Sequence, residues 1–208
     1  MAYWHHNISK LESLSKQGLK EFHHNPNNFD NLFHATLACN TFLILSKINL
    51  FNETDVKKLV FALSNTELWS QEKIELFGSS LMRLPVRKIN GIASLIINRA
   101  DEIRKSNESQ FINTMDMILN AVIALLERKE LFMANKLIKR IDMVYVPENF
   151  VSIILRKKFY FALIKFCQTK NDFEIQNIFR MLSFLGLHHL LDDYQTDFKD
   201  LKQIFWPK

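Results

Sequence analysis

The chain has 208 residues, a net charge of +5 and hydrophobic residues at 48% of its positions, so it can bury a core and is not intrinsically disordered. Eighteen phenylalanines stand against four glycines and four prolines, which favours helices with large side chains between them. The 27 basic and 22 acidic residues are interspersed, and this argues against the basic stripe that direct nucleic-acid binding requires.

The cysteines and the two ends of the chain indicate the cellular compartment. Cys39 and Cys167 lie far apart inside apolar helical segments, which is typical of buried free thiols in a reducing cytosol. No segment has the roughly 18 uninterrupted apolar residues of a membrane span, and the N-terminal residues lack the order of a signal peptide. We therefore expect a soluble, cytoplasmic protein that does not enter a membrane.

Apolar residues with helical spacing predict ten helices along the chain. We expect Thr54 or Asp55 to cap the third helix, Pro85 to stand beside the first turn of the fifth, and Gly186 to close the ninth. The predicted helices, in chain order, cover residues 8–23, 30–47, 55–63, 70–84, 86–105, 109–128, 130–144, 148–169, 172–187 and 190–205.

A long apolar segment restarts about every forty residues, near Phe29, Ser70, Ser109, Asn149 and His188. A repeat of this length is typical of helical pairs that stack because one pair cannot bury its own apolar face. The predicted fold class is all-α, a right-handed α-solenoid of tetratricopeptide-like helical pairs with a C-terminal capping helix. We expect an N-terminal tail and helix at residues 1–28 and one helical-repeat domain at residues 29–208.

Short polar residues recur at the same forty-residue step. Stepping back from Asn120 gives Ser80 and then Asn40, so neighbouring repeats would place these side chains along one line. An Asn amide can accept from and donate to one peptide unit, which suits it to gripping a peptide backbone. Arg83 and Lys158 would bind carboxylates of that peptide. The candidate peptide-binding residues are Asn40, Ser79, Ser80, Arg83, Asn113, Asn120, Lys158 and Phe161.

One alternative remains open for this polar stripe and two for the chain. The stripe can be simply the solvated face of amphipathic helices. The chain can also be a helical-repeat scaffold that docks a protein partner, or a helical hydrolase or transferase with an unmarked site.

The last helix and the tail aromatics Trp4 and Trp206 would leave apolar area exposed in a monomer, so we expect a homodimer.

Metal and catalytic sites are not predicted. The histidines occur as the adjacent pairs His5-His6, His23-His24 and His188-His189, and adjacent residues on a helix seldom supply two ligands to one ion. No Gly-rich phosphate loop and no nucleophile elbow is present. We expect no metal, no cofactor and no enzymatic activity.

Four short segments carry a resemblance to a known family. They read Glu-Leu-Trp at 67–69, Ile-Glu-Leu-Phe-Gly at 74–78, Ile-Leu-Asn-Ala-Val at 118–122 and Phe-Leu-Gly-Leu at 184–187, with Tyr194 and residues 198–201 behind. In order and spacing they resemble the C-terminal, tetratricopeptide-like domain of the Rgg/GadR/MutR transcriptional regulators. The resemblance spans about residues 29–205.

The resemblance implies a regulatory domain that senses a short peptide pheromone. In that family an N-terminal helix-turn-helix domain binds promoter DNA, and the repeat domain dimerises and receives the peptide on its concave face. Asn120 carries over best, whereas the family's basic residue aligns nearer Met82 than Arg83. Residues 8–23 contain no helix-turn-helix, so we expect this chain to reach DNA only through a domain that its sequence lacks.

Overall fold

A computed structural model describes residues 8–65 and 69–207 of the chain. Those residues form α-helices and no β-strand, which confirms the all-α prediction. The helices are α1 (Ile8–His24), α2 (Phe29–Ser46), α3 (Glu53–Ser64), α4 (Gln71–Ser80), α5 (Val86–Ile97), α6 (Ala100–Ser106), α7 (Glu108–Glu127), α8 (Leu131–Asp142), α9 (Val151–Thr169), α10 (Phe173–Phe184) and α11 (His188–Phe205).

The helices group into two compact units, Met1–Lys88 and Ile89–Lys208. In the first unit α1 packs along α2, and α2 packs against α4. The contact between α1 and α2 is close, because a Cβ atom added to Gly18 would lie 3.2 Å from the Cα atom of Ala35. A side chain at position 18 would therefore push the two helices apart. The predicted boundary after residue 28 stays a prediction.

In the second unit α7 is the central helix. It packs against α6, α8, α9 and α11, and Phe111, Met115 and Ile118 on it are fully buried. By length and composition α7 is also apolar enough to cross a membrane, but 56% of its most apolar window is buried inside the protein, as expected of a core helix. Phe159 of α9 stacks on Tyr194 of α11 with ring centroids 4.0 Å apart.

Side-chain caps fix several helix starts. Asn52 caps α3 by accepting from the backbone N–H of Asp55, and the Asp55 carboxylate accepts from the backbone N–H of Asn52 in return. The predicted caps Thr54 and Asp55 are therefore wrong by two or three residues. Ser70 accepts from the backbone N–H of Lys73 at the start of α4.

Four predicted helices differ from the structure by three or more residues. The segments predicted as 70–84 and 172–187 end early, at Ser80 and Phe184. The segment 86–105 divides into α5 and α6 at Asn98 and Arg99, although neither residue is a glycine or proline. Arg140 of α8 donates to the Asn98 side chain at this break, at 2.9 Å. The segment predicted to start at residue 148 starts at Val151, because Pro147 and Phe150 close a turn just before it.

Three helix ends are closed by lysine in the left-handed conformation. Lys47, Lys129 and Lys170 have φ angles of 62°, 62° and 64°, and the backbone N–H groups of Lys47 and Lys170 bond to carbonyls four residues earlier. Glycine is the residue usually found there because it has no Cβ to clash. Gly186 does adopt this conformation after α10, with φ 70°, as predicted.

Candidate functional site

Arg83 forms a buried cluster in the first unit. It lies in the turn after α4 with 9% of its surface exposed. Its Nε donates to Oδ1 of Asn49 and its Nη1 to Oδ1 of Asn40, both at 3.3 Å. The guanidinium carbon stands 4.9 Å from the centroid of the Phe51 ring. We call Arg83, Asn40, Asn49 and Phe51 the Arg83 cluster.

The Arg83 guanidinium has only neutral partners. No carboxylate among the described residues forms an ion pair with it, and its Nη2 is buried without a hydrogen-bond partner. Burial lowers the pKa of Arg83, but a guanidinium remains charged at any physiological pH. A buried cation with an unused donor is costly to leave unpaired, and a carboxylate is the group that suits it.

A second arginine cluster lies in the second unit. Arg156 of α9 contacts Oδ1 of Asp116 of α7 through Nη1 at 3.1 Å. Its Nη2 donates to Oδ1 of Asn120, and its Nε donates to the Tyr160 hydroxyl at 3.1 Å. We call Arg156, Asp116, Asn120 and Tyr160 the Arg156 cluster. It differs from the Arg83 cluster because it already contains a carboxylate.

Burial and charge shift the ionisation of this cluster. Burial raises the pKa of Tyr160 to about 12, although nearby Arg156 opposes the shift. Burial alone lowers the pKa of Arg156, but Tyr160 and Asp116 outweigh it and the net pKa lies above the ordinary value. Burial also raises the pKa of Asp197 to about 6, against the attraction of Arg156. At neutral pH the Arg156 guanidinium is therefore charged and the Tyr160 phenol is protonated.

Several predicted site residues fall into these two clusters. Asn40 and Arg83 contact each other, and Asn120 belongs to the Arg156 cluster. Ser80, by contrast, is fully buried, and its hydroxyl donates to the Leu76 carbonyl one turn back in α4. Ser80 therefore offers no side-chain surface to a ligand.

The other predicted residues are spread over three helices. Ser79 is half-buried at the end of α4, and Asn113 and Phe161 are half-buried on α7 and α9. Lys158 is exposed, and Arg156, two residues before it, is the cation that meets Asn120.

Sequence reasoning missed Arg156, Asp116, Asn49 and Phe51. A signal for the first two was present, because the forty-residue step that links Asn120 to Ser80 also links Asp116 to Arg156. Asn49 and Phe51 lie in the connection between α2 and α3, where no helical period applies.

The described residues do not offer a metal centre or an activated thiol. Among residues 8–65 and 69–207, no three His, Cys, Asp or Glu side chains come together as metal ligands; His5 and His6 lie outside them, as does Trp4. Burial raises the pKa of Cys39 to about 11 and of Cys167 to about 12, so neither is a thiolate at neutral pH.

The comparisons with known proteins agree with this fold. A family model described as "HTH-type transcriptional regulator Rgg, C-terminal domain" matches residues 15–196. The crystal structure of RopB is similar with a TM-score of 0.76 at 16% identity, and the match covers 98% of this chain and 89% of that chain. The crystal structure of the Streptococcus dysgalactiae SHP pheromone receptor Rgg2 gives a TM-score of 0.66 at 14% identity, over 93% of this chain and 68% of that chain. At these identities the two structures show a shared fold.

Proposed function

Because this chain belongs to the family of the C-terminal domain of HTH-type transcriptional regulator Rgg, we propose that it senses a short peptide and passes the signal to a DNA-binding domain. The family membership makes it a regulatory domain. Peptide binding, homodimerisation and a cytoplasmic location are the finer steps of the proposal. In this proposal a helix-turn-helix domain binds the DNA.

The Arg83 cluster is the observation that carries peptide binding. Its buried Nη2 donor has no partner, so an acidic side chain or the terminal carboxylate of a peptide would complete its hydrogen bonding once it displaces part of the cluster. The Phe51 ring beside the guanidinium would pack on an apolar part of the same peptide. The description of Rgg2 as a pheromone receptor supports a peptide as the ligand.

The Arg156 cluster has a different part in the proposal. Its own Asp116 already occupies one edge of the guanidinium, so a peptide carboxylate would have to displace that side chain. Asn120, held in place by Arg156, is instead the residue proposed to contact the peptide backbone. Arg83 in the first unit and Asn120 in the second are thus proposed as two separate peptide contacts, the first selective for an acidic group and the second for the peptide backbone.

Dimerisation is supported by apolar side chains at the junction of α10 and α11. Phe184, Leu185 and Leu187 are 90%, 57% and 42% exposed, and they follow one another closely. Exposed apolar groups in one patch mark interaction surfaces, and a second copy of the chain is the usual partner of such a patch in a symmetric assembly. A peptide that binds one arrangement of this dimer better than another would shift the population of the two.

Calorimetry on matched peptides and variants tests the proposal. A peptide selected from a random library on the wild-type chain is made with its acidic residue intact and with that residue changed to the amide. Wild type should bind the acidic form roughly tenfold to a hundredfold more tightly, because the amide leaves the Arg83 charge unpaired. Arg83→Ala should bind both forms equally weakly.

Arg87→Ala is the matched control, since Arg87 is an exposed arginine four residues away. It should keep the preference for the acidic form. Unchanged affinity in both Arg83→Ala and Asn120→Ala, with the fold intact, would overturn the proposed site. Failure of any short peptide to bind would favour the alternative of a scaffold for a folded protein partner.

A further inference from the structure

The first unit contains a cavity that the proposed function does not use. Its volume is about 600 Å³, which lies within the range of small-molecule sites. The cavity is formed by the loop between α1 and α2, the start of α2, one face of α3 and the first turn of α4. It shares no residue with the Arg83 cluster.

One side of the cavity is apolar. Phe29 and Leu32 of α2 face it together with Phe61 and Ala62 of α3. Phe61 is 68% exposed, and the contact of its apolar ring with water is unfavourable. An apolar body in the cavity would cover this ring.

Three lysines surround the apolar side. Lys57 and Lys58 come from α3 and Lys73 from the first turn of α4, and the lining contains no aspartate or glutamate. None of these lysines forms an ion pair with a carboxylate in the described part of the chain. The Nζ atom of Lys58 stands 5.2 Å from the centroid of the Phe22 ring, a contact that does not neutralise its charge. Three lysine side chains that line one apolar cavity without an acid favour an anion there.

The N-terminus of α2 adds to the same field. The cavity is lined by Asn28, the N-cap of this 18-residue helix, and by Phe29, its first residue. The N-terminal end of a helix carries a partial positive charge. It is a secondary contribution here, because Asn28 and Asp30 already stand near that end.

We propose that this lysine-rimmed cavity binds an amphipathic carboxylate, a small molecule with an apolar body and one anionic head. The body lies against Phe29, Leu32 and Phe61, and the head lies among Lys57, Lys58 and Lys73. Such a ligand would act on the domain independently of any peptide at Arg83. A failure of peptide binding at Arg83 would therefore leave ligand binding in this cavity unaffected.

Octanoate and 1-octanol form the probe pair, because they share an apolar tail and differ in charge. In a ¹H–¹⁵N NMR titration of the full chain, octanoate should bind saturably and shift the amides of residues that line the cavity. Octanol should bind more weakly. The triple variant K57Q/K58Q/K73Q should raise the Kd of octanoate by roughly tenfold and leave that of octanol nearly unchanged.

The control variant K105Q/K136Q/K199Q removes three exposed lysines elsewhere and should bind octanoate like wild type. Phe61→Ala should weaken both probes, since the tail loses its apolar contact. The proposal is overturned if octanoate and octanol bind equally well, or if both triple variants lose affinity for octanoate equally. It is also overturned if the NMR shifts are confined to residues outside the cavity, or if octanoate shows no saturable binding at low-millimolar concentration. Thermal melts of all variants confirm that they are folded.

Discussion

Arg156 and Asp116 are forty residues apart in sequence, yet their guanidinium and carboxylate groups lie 3.1 Å apart. This ion pair links α9 to α7, so one contact connects successive helical pairs of the second unit. Arg83 has no such carboxylate within the described residues and keeps one buried donor unpaired. The two arginines should therefore have opposite effects on stability.

Arg156→Met should lower the free energy of unfolding by about 1–3 kcal/mol, because it leaves Asp116 and the Asn120 and Tyr160 oxygens without their partner. Urea denaturation followed by circular dichroism measures the change. The control is Arg99→Met. It removes the exposed ion pair between Arg99, the N-cap residue of α6, and Glu102 and should cost no more than about 0.5 kcal/mol. Equal losses in both variants would show that the Arg156 cluster adds no stability.

Arg83→Met should leave the free energy of unfolding unchanged or raise it by about 1 kcal/mol. A buried cation without an ion partner costs desolvation energy, and an apolar side chain of similar volume removes that cost. The same denaturation experiment checks the change, and peptide calorimetry should show lost preference for acidic peptides. A large loss of stability would mean that Arg83 serves the fold rather than a ligand.

Asp197→Asn should stabilise the chain at pH 7.5 by up to about 1 kcal/mol, a figure reduced for its partial solvent contact. Burial raises the pKa of Asp197 to about 6 in the folded state, above its value of about 4 in an unfolded chain. A raised acid pKa means that the folded state favours the protonated form. Stability contributed by this group is thus present below pH 4 and is lost as the pH rises through 6.

Unfolding midpoints between pH 4 and pH 7.5 measure that loss, and the slope should flatten in Asp197→Asn. Asp192→Asn changes an exposed aspartate of the same helix and should keep the wild-type slope. A slope that persists in Asp197→Asn would assign the pH dependence to another group.

Asp55→Ala should destabilise the first unit by about 2–3 kcal/mol. Asp55 is 1% exposed, accepts from the backbone N–H of Asn52 and lies 2.7 Å from Nε2 of His23, so its loss breaks the capping box of α3 and the contact with α1. Glu53→Ala removes an exposed acid from the same first turn and should cost roughly 0.5 kcal/mol. Thermal melts compare the two, and similar melting points would contradict the assigned role of Asp55.

Most helices were predictable because their apolar spacing is local, although the N-cap of α3 was placed two or three residues too late. Ser70 and the 109–128 segment, for example, needed no knowledge of the rest of the fold. The break at Asn98 and Arg99 was not predictable, since no glycine or proline marks it and the Asn98 side chain bonds to Arg140 of a later helix. Local sequence contains no trace of that contact.

The candidate site was partly predictable. A forty-residue step places equivalent positions in line only where the helices have the same rotational phase. Asp116 and Arg156 satisfy this condition, but Ser80 is the last residue of a ten-residue helix and points into the core. The Arg83 cluster depends on Asn49 and Phe51 in a non-helical connection, and no periodicity describes such a segment.

The left-handed lysines connect helix closure with solubility. Glycine at positions 47, 129 and 170 would relieve the backbone strain of about 1 kcal/mol at each site. It would also remove three of the charges that make the chain +5, and net charge is what keeps copies of a protein apart in concentrated solution. The glycine variant would have less backbone strain and weaker repulsion between its copies. Its melting point would therefore rise while its solubility limit falls.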